Sequence, residues 1–125
     1  MGRPRGFDEE AVVRAAVELF AQRAYDGLSV DDLVTGLGVH RNSLYKTFGS
    51  KRGLYLTALR KYLEDPHSDQ LDLLLLAAAE QAPLDAEVGA LISAALARLD
   101  EALGADETDR TLGARLRARI DTGEH

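Results

Sequence analysis

Apolar residues return three and four positions apart along most of this chain, and nowhere do they alternate with period two over a sustained run. That pattern predicts helices and no strands. Val12, Ala16, Leu19 and Phe20 form the first stripe. Asp8 precedes it as a good N-cap, and Glu9 and Glu10 stand where the positive end of a helix dipole favours acids. Tyr25-Asp26-Gly27 is expected to close this helix. A second helix opens at Ser29, whose hydroxyl can accept from the Asp32 amide while Asp32 reaches back, an Asp variant of the capping box. Val30, Leu33, Val34 and Leu37 are its expected buried face. Gly36 and Gly38 bracket Leu37 and give access to positive φ where two helices meet steeply over few residues, the punctuation of a helix-turn-helix.

The third helix is expected at about residues 40–47. Stepping about 100° per residue groups Leu44 with Phe48 on the buried side and turns Asn42 and Lys46 outward, flanked by Ser43 and Tyr45. Each has a plainer reading: Tyr45 leaning on the core, Lys46 as ordinary surface. Ser50 caps a fourth helix that begins with Lys51 and Arg52, where the dipole disfavours cations by about 0.3 to 1 kcal/mol each. A phosphate docked on the first-turn amides would reverse that cost, and exposure and salt would make it negligible; both readings stand.

Glu64-Asp65-Pro66-His67-Ser68-Asp69 should end the fourth helix, because Pro66 lacks a donor and restricts Asp65. Leu71 to Gln81 reads as a short helix, apolar on nearly all sides. Val88, Leu91, Ile92, Ala95, Leu96, Leu99 and Leu103 form the most regular stripe, closed by Gly104. Core packing explains that stripe and dimerisation is the alternative; we read it as a mixture of both. An acidic loop, Asp106 to Asp109, should follow. A weaker helix then aligns Leu112, Leu116 and Ile120, with Arg110, Arg115, Arg117 and Arg119 around them as a solvated face rather than a second DNA contact.

Composition narrows the function classes. A chain of 125 residues can form one core, or two small helical subdomains, and bury roughly two-thirds of its unfolded surface. Cysteine is absent, which excludes disulfides, thiolate catalysis and cysteine-based zinc sites and fits a reducing cytosol. The longest apolar stretch, Leu73 to Ala79, is far short of the roughly 20 residues that span a bilayer, so a cytoplasmic protein without a membrane partner is expected. The pairs Asp31/Asp32, Asp100/Glu101 and Asp106/Glu107 point apart on a helix. His40, His67 and His125 lack metal-ligand spacing, and no Gly-rich phosphate loop follows a strand. No enzyme, metal or cofactor is expected.

Charge changes the picture more than composition does. Residues 1–62 hold ten Lys/Arg against seven Asp/Glu, net +3, and residues 63–125 hold five against fourteen, net −9. From Leu33 through Leu63 there are six cations (Arg41, Lys46, Lys51, Arg52, Arg60, Lys61) and no carboxylate. A solvated basic face is the bland explanation; a surface for a polyanion, most naturally duplex DNA, is the sharper one.

These residues also carry a resemblance. Leu19-Phe20, Tyr25-Asp26-Gly27-Leu28-Ser29-Val30, Leu37-Gly38-Val39, Leu44-Tyr45 and Phe48-Gly49-Ser50-Lys51 resemble the DNA-binding domain of TetR/AcrR-type transcriptional regulators over about residues 7–63, with the helix-turn-helix motif at about 29–48. The Gly2-Arg3-Pro4-Arg5 arm is similar to arms that precede the first helix in a subset of that family. The resemblance implies an all-α fold: an N-terminal three-helix bundle, a linking fourth helix, and a short helical dimerisation or regulatory region over residues 70–125, abbreviated relative to the family. It implies a homodimeric, usually repressing protein on a palindromic operator, with a small-molecule inducer left open. By that likeness Arg41, Asn42, Ser43 and Lys46 approach base edges or nearby phosphates, Tyr45 and Thr47 touch the backbone, Lys51 clamps a phosphate, and Arg3 and Arg5 join the contact. His40 stands where the family often has a Ser or Thr cap, so a less firmly held first turn is expected. The alternative is a partner protein that does not bind DNA and heterodimerises with a related regulator.

Overall fold

The computed structural model describes residues 8–64 and 71–121, which form helices and turns without strands. The chain divides into two compact units, residues 1–64 and 65–125. In the first, α1 (Glu9–Gln22) starts where local chemistry directs: the Asp8 carboxylate accepts from the Glu10 and Ala11 amides at 3.0 and 3.4 Å. Val12, Val13, Ala16 and Phe20 are buried, whereas Leu19, expected in the core stripe, is only half-buried.

Tyr25-Asp26-Gly27 does not close α1. The helix ends at Gln22, Arg23 is extended, and Tyr25–Gly27 is a separate 3-10 turn. Aromatic packing accounts for the added turn. It brings the Tyr25 ring within 6.1 Å of Phe20 and 4.8 Å of Tyr55, the latter two rings meeting edge to face at 5.0 Å. The Arg23 guanidinium fastens the turn by donating to the Gly27 carbonyl oxygen.

α2 (Val30–Leu37) opens with both halves of the expected capping box, Asp32 N to Ser29 Oγ at 3.0 Å and Ser29 N to Asp32 Oδ2 at 2.9 Å. Those hydrogen bonds with Ser29, aided by the Arg23 charge and only partly opposed by desolvation, hold the Asp32 carboxyl below its ordinary pKa. Leu28 and Leu33 are buried; Val30, Val34 and Leu37 are half-buried. Gly38 takes the left-handed conformation at φ 70°. Gly36 does not adopt positive φ. It lies against α1 instead, where a Cβ would stand 3.0 Å from Leu19 Cδ1.

α3 (Arg41–Phe48) and α4 (Lys51–Glu64) are joined at Gly49, φ 85°. Ser50 caps α4 through the Gly53 amide at 2.9 Å. The junction is tight: a Cβ on Gly53 would lie 2.0 Å from the Phe48 carbonyl oxygen. α4 contributes Leu54, Tyr55, Ala58 and Leu59 to the buried set and packs on α1 and α3.

In the second unit the predicted helix from Leu71 to Gln81 is α5 (Asp72–Leu76) followed by a π-helical turn, Ala77–Gln81, marked by Ala82 N to Ala77 O at 2.8 Å. Pro83 explains a departure here, since its ring would press on the carbonyl of residue 79 in a regular α-helix. α6 (Ala86–Leu103) is capped by Asp85 and stopped by Gly104 at φ 89°. Val88, Ile92 and Ala95 are buried, but Leu91, Leu96 and Leu99 are half-covered and Leu103 is exposed.

The expected acidic loop is helical. α7 (Ala105–Asp121) begins directly after Gly104 and carries Asp106 and Glu107 in its first turn, where the dipole stabilises them. Nor are its arginines simply solvated. Arg115 grips Asp72 through two hydrogen bonds of 2.8 and 3.1 Å, and Arg119 reaches the same carboxylate at 3.0 Å. Partial burial works to raise the Asp72 pKa, yet the hydrogen bonds and charges of Arg115 and Arg119 outweigh it and hold the carboxyl below its ordinary value. Among the described residues no helix is long and apolar enough to cross a membrane.

Candidate nucleic-acid interface

The turn between α2 and α3 is built from backbone bonds. Gly38 N and Val39 N both donate to the Val34 carbonyl oxygen, at 3.0 and 3.2 Å. From there α3 is set by one anchor, Leu44, fully buried, with Phe48 half-buried behind it. The opposite side is then dictated by the helical repeat: Asn42 and Lys46 are exposed, as the pattern predicts. Thr47 is also exposed and Ser43 is half-buried at the flank. Tyr45 retains 39% exposure, so it is not a core residue. The short helix therefore offers solvent an amide, an ammonium, a hydroxyl and a phenol within two turns.

Three cations meet different circumstances. Lys46 has no ion-pair partner among the described residues. Lys51 lies with its ammonium 4.0 Å from the centre of the Tyr25 ring, a cation–π contact that gives this first-turn cation a partner within the protein. Arg41 donates to the Asp31 carboxylate of α2. Sequence reasoning missed that pair because Asp31 lies just outside the acid-free segment, on the preceding helix. His40 supplies no side-chain cap to α3, in keeping with the expectation of a loosely held first turn. Arg3 and Arg5 lie outside the described residues.

Among the described residues no cluster of His, Cys, Asp or Glu is arranged to hold a metal. The second unit has a cavity of about 210 Å³ bordered by Leu71, Leu99, Ala102, Leu103, Thr108 and Leu112. Thr108 is buried, and its hydroxyl has no hydrogen-bond partner among the described residues, a feature the helical pattern gave no sign of.

The model of the bacterial regulatory proteins of the tetR family matches residues 12–58. The uncharacterized HTH-type transcriptional regulator YezE of Bacillus subtilis is 42% identical over 74 residues, which cover 59% of this chain and 38% of the relative. Two Escherichia coli proteins, the HTH-type transcriptional repressors BdcR and ComR, are 44% identical over 62 residues and 38% over 63; each match covers 50% of this chain, and 32% and 30% of the relatives. The matched segment thus spans about a third of these relatives' lengths. No solved structure matches the chain significantly.

Proposed function

We propose that this chain is a DNA-binding transcriptional regulator of the bacterial TetR type that sets α3 into the major groove, a reading supported by the likeness of its N-terminal helices to that family. The exposure of Asn42 and Lys46 on the side of α3 opposite Leu44 carries this reading. Amide and ammonium groups are suited to adenine and guanine edges. Ser43, Tyr45, Thr47 and Arg41 border the same face, and Lys51, Arg3 and Arg5 are assigned to nearby phosphates. Repression is the expected outcome, favoured by the names of the two Escherichia coli relatives.

We take the binding form to be a homodimer on a palindromic operator, with two α3 helices about 34 to 36 Å apart. Exposed Leu116 and Ile120 on α7 are the apolar surface that favours a second copy. An inducer, if one acts, has the Thr108 cavity available: a small, mostly apolar molecule with one hydrogen-bonding group suits it. The protein works where the chromosome is, in the cytoplasm.

Paired substitutions test the assignment. Lys46→Ala should cost about 1 to 3 kcal/mol on the selected operator and lower the ratio of operator to random-duplex affinity. Lys51→Ala should weaken both duplexes alike. A Lys46→Ala protein with the parent's affinity for both would remove α3 from the groove.

A further inference from the structure

Resting on the DNA-binding reading above, we infer that Asp31 is a specificity-determining residue: it holds Arg41 in an ion pair and withholds that cation from sequence-independent phosphate contact. The two residues are ten positions apart, on α2 and α3, and meet across the Gly38 turn. The Asp31 side chain is 80% exposed and that of Arg41 48%, so both groups are on the surface.

Each residue alone carries a local electrostatic cost where it stands. Asp31 is a carboxylate next to the surface assigned to a polyanion. Arg41 is a cation at the dipole-positive start of α3, which has no side-chain cap from His40. Paired, they correct each other: the carboxylate offsets the cation at the helix start, and the guanidinium neutralises the carboxylate. A phosphate that drew Arg41 away would leave Asp31 unpaired and facing the duplex. Like charges brought together in this way penalise binding that lacks compensating base contacts. Lys46, which has no ion-pair partner among the described residues, carries no such penalty.

Titration of a random-sequence duplex by fluorescence anisotropy across a salt series tests this with Asp31→Asn, Arg41→Met and the double variant. Asp31→Asn should steepen the slope of log affinity against log salt by about 0.9, so that a fourfold rise in salt costs it roughly 3.5-fold more affinity than the parent loses. In an Arg41→Met background the Asp31→Asn change should lose that effect on the slope, because the cation it would release is gone, and Asp31→Glu, which retains the charge, should restore the parent slope. Asp31→Ser serves as a second neutral replacement should Asp31→Asn fold poorly. An unchanged slope in the neutral variants, or a slope flattened by about 0.9 in Arg41→Met alone, would overturn the role of Asp31 while leaving DNA binding intact. A parent chain that binds no duplex even in dilute salt would remove the DNA-binding reading itself and this inference with it.

Discussion

Gly53 shows how one missing methyl fixes the angle at which α4 leaves α3. Alanine is normally the better helix former by about 1 kcal/mol. Here its Cβ would meet a backbone oxygen, Phe48 O, at 2.0 Å, and a carbonyl in the last turn of α3 cannot rotate away as a side chain can. Gly53→Ala should therefore destabilise the first unit by about 1 to 3 kcal/mol, the range for overpacking, measured by denaturant unfolding. Gly36 is the control, because its nearest obstacle, Leu19 Cδ1 at 3.0 Å, ends a flexible, half-buried side chain. Gly36→Ala should change stability by much less. Equal losses at the two positions would show that the Phe48 carbonyl is not what Gly53 accommodates.

Among the elements, what the sequence discloses is what neighbours a few residues apart decide. Asp8 and the Ser29–Asp32 box act within three positions and were legible, as were the stops at Gly38 and Gly104. Leu44 opposite Lys46 was legible for the same reason, since a single helical repeat relates them. The 3-10 turn at Tyr25 was not, because the Tyr55 ring that draws it in lies thirty positions away. Asp72 escaped notice likewise: its partner Arg115 is 43 positions distant and in the sequence reads only as part of a solvated face. That tie between α5 and α7 has a pH consequence. The folded-state pKa of Asp72 is depressed below its ordinary 3.8. Its contribution is therefore fully present above the unfolded value and is lost as pH falls through the folded one. Acid titration of the intact chain should show a loss of stability below about pH 4 that is smaller in Asp72→Asn. A parent and variant that lose stability in parallel on acidification would separate this carboxylate from the effect.

For the whole molecule, the division of charge assigns unequal roles to the two units. The half that bears α3 is net positive over residues 1–62, whereas residues 63–125 carry net −9 and would be repelled by phosphates. On the proposed reading, a single eight-residue α3 would offer few base contacts, and one such head would bind little better than any basic surface. In the proposed homodimer, two heads linked through the acidic units would raise affinity by effective concentration, typically 10²- to 10⁴-fold, without new contacts to DNA. The linking surface we assign is the apolar line of α7, where Leu116 is 55% and Ile120 72% exposed beside the half-covered Leu112. Light scattering at micromolar concentration should give twice the 13.6 kDa chain mass. Leu116→Glu with Ile120→Glu should return the mass to that of one chain and lower operator affinity within the same range, while circular dichroism stays helical. A parent that remains monomeric yet selects a palindrome from a random duplex library would mean that the DNA assembles the pair, and the α7 surface would lose its assigned role.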